Sequence, residues 1–294
     1  MKRPIAVMFV ALFVILDVVL VGVAIGHVRS DPPPSDIVSA ESSQPSNDES
    51  ANEQRAFSFK SAEAGFLDVS NDDTFITATR GSCSGDGGTI RTSDDGGATL
   101  AERDAGVDQV LAVQAANKGK LTVVGTELDC KPVQRSSDDG GKTWSDDSGI
   151  DLWYPSITDT HDVVTPDGTS TPPGCTVISL SQVGQDFGRV ACADGKLFGS
   201  GNQGKKWVLL GRLDNIRVLT FSTFNSGYAL ARFQGCAANL FSTDDSGRTW
   251  KAGGCITGDP ARALAVNDTG LTAVVGEPTG VFVSETDGKD WMQP

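Results

Sequence analysis

Basic residues are in short supply. Across 294 residues there are 24 Lys and Arg against 38 Asp and Glu, a formal charge of −14. Such a balance opposes binding to nucleic acid and to anionic membrane surfaces, so no nucleic-acid partner is expected. Histidine is nearly missing, with His27 and His161 alone, and the six cysteines include no Cys-x-x-Cys pair. The usual ligand spacing of a zinc site is therefore absent, and neither a metal nor a cofactor is expected. No phosphate loop, nucleotide fingerprint or Ser/His/Asp constellation occurs. The only tyrosines are Tyr154 and Tyr228.

One long apolar run is present. Residues 5–26 carry a single charge, Asp17, and at about 1.5 Å per residue they can cross a bilayer core of roughly 30 Å. Lys2 and Arg3 precede the run, which predicts a cytoplasmic segment 1–4, a single-pass anchor 5–26 and an extracytoplasmic remainder at the cell membrane. Ala24-Ile25-Gly26 offers a cleavage site, in which case the segment is a signal peptide and the protein is secreted. Residues 27–55, which contain Pro32-Pro33-Pro34 and are rich in Ser, Asp and Glu, read as a disordered stalk. Folded chain is expected over 56–294.

That remainder is built on five copies of one octad, at 93–100, 137–144, 200–207, 243–250 and 284–291. Their last residues are spaced 44, 63, 43 and 41 positions apart, which is a repeat of about 43 residues with one insertion. Short runs such as Val110-Leu111-Ala112-Val113 and Leu121-Thr122-Val123-Val124 precede the octads, bounded by Gly, Asn and Asp. They read as strands. Four antiparallel strands per repeat predict an all-β propeller, with five blades expected and a sixth requiring a degenerate blade.

The octad explains itself mechanically. The acid at its third position can accept backbone N–H groups of its own turn, and the Gly two residues later tolerates positive φ. The key positions are Asp95, Asp139, Asn202 and Asp245, with Trp144, Trp207, Trp250 and Trp291 closing four copies as apolar bodies. Thr286 stands at the acidic position of the last copy and Leu100 closes the first. Because the turn recurs without its acid, the octads read as fold staples rather than calcium loops.

These octads resemble the Asp-box, or bacterial neuraminidase repeat, with the pattern Ser-x-Asp-x-Gly-x-Thr-Trp. The resemblance implies kinship with sialidase-like, sortilin-like and photosystem II assembly-factor-like propellers, a family whose fold is shared and whose functions are not. A sialidase would carry a Phe/Tyr-Arg-Ile-Pro motif, three clamping arginines and a Tyr–Glu nucleophile pair. The nearest strings here, Ile90-Arg91-Thr92 and Ile216-Arg217-Val218, lack the proline. The expectation is a non-catalytic module that binds a protein or glycan outside the membrane. The alternative is a glycoside hydrolase on the same fold.

In such blades the octads and the first–second turns share one face, and the cysteines fall on the other. Six cysteines in an exported domain argue for disulfides, with fifteen pairings open. Blade geometry favours Cys175 with Cys192, Cys236 with Cys255, and Cys83 with Cys130. The insertion, from Gly149 to about Gly174, supplies the ligand candidates Trp153, Tyr154 and His161.

Overall fold

Alternating apolar positions in short runs, cut by Gly, Asn and Asp turns, give antiparallel ladders and no helix among the described residues. The computed structural model describes residues 65–85, 87–233, 236, 238–256, 261–267, 270–275 and 280–294. The expected anchor and stalk lie outside them, and among the described residues no helix is long and apolar enough to cross a membrane.

Blade one comprises β1 (Gly65–Val69), β2 (Phe75–Thr79), β3 (Ile90–Ser93) and β4 (Ala101–Arg103). Blade two comprises β5 (Gln109–Ala116), β6 (Lys120–Thr126), β7 (Pro132–Ser137) and β8 (Ser145–Asp146). The insertion then contributes β9 (Tyr154–Pro155), β10 (Val163–Thr165) and β11 (Gly168–Ser170). Blade three is β12 (Val177–Gly184), β13 (Phe187–Cys192), β14 (Lys196–Ser200) and β15 (Val208–Arg212). Blade four is β16 (Ile216–Phe221), β17 (Gly227–Ala231), β18 (Ala238–Thr243) and β19 (Lys251–Ile256). Blade five holds β20 (Ala261–Val266), β21 (Leu271–Val275) and β22 (Gly280–Ser284), and its fourth strand shrinks to the pairing of Met292 with Val283. Strands are ordered sequentially in all five blades.

The first strands line the axis. β1 packs against both β5 and β20, which closes the ring, while β12 packs on β16 and β16 on β20. Being sheet edges, these strands have backbone N–H groups that no ladder satisfies. Side chains of the neighbouring blade supply acceptors. Asp68 accepts the Ala115 N–H at 2.8 Å, Ser179 accepts Leu219 at 3.1 Å and Ser181 accepts Phe221 at 2.9 Å.

The apolar core is divided among blade boundaries. Trp144 packs with Ile76, Ile90 and Val123 between blades one and two, and Trp250 with Leu197 and Phe221 between three and four. Trp291 joins Leu230 and Leu264 between four and five, and Leu100 joins Phe75 and Val281 between five and one. Each octad thus ends as the apolar plug of the boundary before its own blade. That is why Leu100 can replace Trp: the position needs apolar volume there.

The insertion differs from the expected irregular loop. It folds as a three-stranded sheet, ordered β11-β10-β9, with β9 touching both β5 and β12. The physical reason lies in the boundaries it fills. Thr165 on β10 donates its hydroxyl to the Gln203 carbonyl of the third octad at 3.2 Å, as Thr92 on β3 does to Gly140 of the second at 3.0 Å. β10 therefore takes the place of a third blade strand, and the insertion is a reduced blade lacking inner strand and octad.

Candidate functional site

The octad oxygens are engaged by their own turns. The Ser or Thr at position one accepts the N–H of the fifth residue at 2.8–2.9 Å in every copy. The oxygen at position three accepts the N–H four residues on at 2.9 Å, whether it belongs to Asp95, Asp139, Asn202, Asp245 or Thr286. An amide or hydroxyl oxygen serves as well as a carboxylate. The Thr143 N–H and hydroxyl hold the Asp139 carboxyl at about 2, well below the usual range. The glycines at 97, 141, 204, 247 and 288 take φ of 96°, 81°, 79°, 88° and 75°. The residue before each is also left-handed, including Gln203, Ser246 and Asp287, which the sequence reading did not anticipate. The turns stitch the fold.

The insertion presents only one of its three ligand candidates. Trp153 is 2% exposed. It packs among Val163, Val190 and Phe198, edge-on to Trp207 at 6.3 Å, and its Nε1 donates to the Gln185 carbonyl at 3.1 Å. Tyr154 is 5% exposed and sits with Leu111, Val124 and Leu152; burial raises its phenol pKa. Neither ring faces solvent, because the reduced blade has no octad Trp and must plug two boundaries from its own entry strand. His161 is exposed. Its Nδ1 lies 2.8 Å from Asp159 Oδ1 and its Nε2 3.4 Å from Thr176 Oγ1.

The cysteine-bearing face is cross-linked as blade geometry favoured. Cys83–Cys130 joins blades one and two, Cys175–Cys192 ties the crossing after the insertion to β13, and Cys236–Cys255 lies within blade four. Beside the first of these is a recess of about 590 Å³ lined by Asp104, Gly106, Val107, Asp108, Glu127, Leu128 and Asp129. Its walls are the crossing from β4 to β5 and the turn from β6 to β7. Arg135 braces both, donating to the Ala105 and Gly106 carbonyls at 2.6 Å and to Glu127 at 2.7 Å. Lys131 pairs with Asp129 at 2.5 Å and holds that carboxyl below its ordinary range. Leu128, 84% exposed, stands at the rim. None of these lining residues was picked from sequence. The available signal was an apolar residue between two acids, two positions before a cysteine.

No family model and no curated protein matches the chain. Solved structures do. Aleuria aurantia lectin in complex with Fucα1-6GlcNAc is 8% identical over 79% of this chain and 94% of that one, with a TM-score of 0.50. The fold is a β-propeller. A structure of YCF48 bound to D1 peptide is 15% identical, with a TM-score of 0.32 over 79% of this propeller chain. The match spans 66% of that YCF48 chain, slightly less than two thirds of its length. The GH74 xyloglucanase from Xanthomonas campestris is 15% identical over 79% of this chain and 38% of that one, with a TM-score of 0.33.

Proposed function

We propose that this protein is a membrane-anchored, extracytoplasmic Asp-box propeller that binds a protein or glycan through its cysteine-bearing face without catalysing a reaction. The observation that carries the reading is the recess beside Cys83–Cys130. Its walls are cross-linked and braced by Arg135, so it is formed before a ligand arrives. A highly exposed leucine at a polar rim suits partner binding. The lectin of the same fold is in complex with Fucα1-6GlcNAc, which makes a glycan a natural class to test beside a protein. Residues 5–26 supply the anchor in this reading, and intact-mass measurement of the membrane-extracted protein distinguishes retention from cleavage.

The test uses the full chain in detergent, in cross-linking pull-downs from the cell envelope and on a glycan array. A defined partner or glycan is expected, and Leu128→Ser should weaken its capture about tenfold, the order of burying one leucine side chain against a partner. Undiminished capture by Leu128→Ser places the site elsewhere. A second reading, glycoside hydrolysis, draws on the carboxylates of Asp104, Asp108, Glu127 and Asp129 around one recess. Turnover of fluorogenic glycosides that one carboxylate substitution abolishes would replace binding with catalysis.

A further inference from the structure

A second site is indicated on the opposite face, at the boundary of blades three and four. Arg189 on β13 is 8% exposed. Its guanidinium lies over the Phe221 ring, 5.7 Å from the centroid. Nη1 donates to the Gly188 carbonyl and Nη2 to the Phe224 carbonyl, each at 3.1 Å, while Nε has no partner. Two of five donors are therefore engaged, both by neutral oxygens. No carboxylate pairs with Arg189 among the described residues.

Its charged neighbour makes matters worse. Arg248, in the fourth octad, donates to the Asp245 backbone carbonyl at 2.8 Å and forms no ion pair among the described residues. Burial, and then repulsion from Arg248, lower the Arg189 pKa. An arginine does not escape such a place by losing its proton at ordinary pH. A buried cation without a counter-charge is costly, and a second cation beside it adds to the cost. Arg189, buried with an unpartnered Nε and no carboxylate, therefore stands to gain from an anion.

One side of the guanidinium is closed by the protein: Gly199 pairs with Arg189 across β13 and β14, and the place of a Cβ there is filled by Leu210 Cδ1 at 2.7 Å and Arg189 Nη1 at 2.9 Å. Phe187, the first residue of β13, and Phe224, in the turn from β16 to β17, lie with ring centroids 4.3 Å apart and tilted by 49°, and Phe224 is 48% exposed. Both belong to the octad face: the Asp186 carbonyl accepts the Gln203 N–H at 3.0 Å and Asn225 accepts from Ser246 at 2.9 Å.

We propose that Arg189 and Arg248 form an oxyanion site on the octad face, taking a ligand with a carboxylate, sulfate or phosphate group whose apolar part rests on Phe187 and Phe224. The site is separate from the recess beside Cys83–Cys130 and does not depend on it. Guanidinium–oxyanion contacts are bidentate and stronger than neutral hydrogen bonds.

The experiment is thermal unfolding of the full chain in detergent, titrated with sodium sulfate, sodium phosphate and sodium phenylacetate at ionic strength held constant with chloride. A saturable rise in Tm above the chloride baseline is expected. The anion that saturates at lowest concentration identifies the source chemistry, and phenylacetate does so if the phenylalanines contribute. Arg248→Met, an exposed change, should weaken the apparent affinity about tenfold, the scale of one charge-assisted contact. Arg189→Met should abolish the rise, and Leu128→Ser should leave it intact. No saturable rise with any of the three anions, or one unchanged in Arg248→Met, overturns the proposal.

Discussion

Two blade boundaries hold a mostly buried arginine, and they treat it in opposite ways. Between blades one and two, Arg135 is 17% exposed and meets Glu127, Asp146 and two backbone carbonyls at 2.6–2.8 Å. Cys83–Cys130 spans the same boundary. Between blades three and four, Arg189 meets two carbonyls and a neighbouring arginine, and no disulfide among the described residues crosses. The fold can evidently compensate a buried guanidinium within one repeat. Beside Arg189 it does not, which leaves donors for something outside the chain; Arg80, over Phe66 with its Nε also unpartnered, shares that lack.

The largest expected effect tests the closed boundary. Replacing Cys83 and Cys130 together by Ser opens a loop spanning 47 residues, for which loop-closure entropy gives about 4 kcal/mol. Removing the 17-residue Cys175–Cys192 link should cost less, about 3 kcal/mol. Urea unfolding of both variants checks the order. Equal losses would show that the first bridge constrains a boundary already held rigidly by packing.

Arg135→Met should destabilise by roughly 3 kcal/mol, since it strands the Ala105 and Gly106 carbonyls; Glu127 and Asp146, being exposed, add little. Arg189→Met should be neutral or stabilising in chloride, because it removes an uncompensated charge and keeps apolar volume over Phe221. If both variants lose the same stability, the contrast between the boundaries is wrong.

How much of this was legible in the sequence follows from what each feature depends on. The octads could be read because Gly141 or Thr143 acts on its own turn, within five residues of Asp139. The disulfides followed from knowing which strand ends share a face. Trp153 and Tyr154 looked available because their burial depends on the octads around them: Trp207 from the next blade packs on one, and nothing in the insertion itself announces the gap they fill. Arg189 was invisible for a related reason. A missing partner is a fact about the neighbouring blade, and Arg189 in sequence differs in nothing from Arg135.

The boundary of blades one and two also contains a buried charge, and the last prediction asks how it is relieved. Asp68 on β1 accepts the Ala115 N–H, yet burial outweighs that bond and raises its pKa to about 6. Between its ordinary value of 3.8 and about 6 the folded state binds more protons than the unfolded one, so stability falls as pH rises through that window and is flat above it. Asp68→Asn keeps a carbonyl oxygen for Ala115 and cannot ionise. It should match the wild type near pH 4 and exceed it at pH 7–8 by about 3 kcal/mol, the order set by a shift of about two units. Chemical denaturation at pH 4, 6 and 8 reads this directly. A difference that does not grow with pH would mean that water or a cation reaches the carboxylate. An acid can shed its charge by taking a proton, so this boundary has an internal remedy; the arginine across the ring has none, which is why the two boundaries diverge in their need for a ligand.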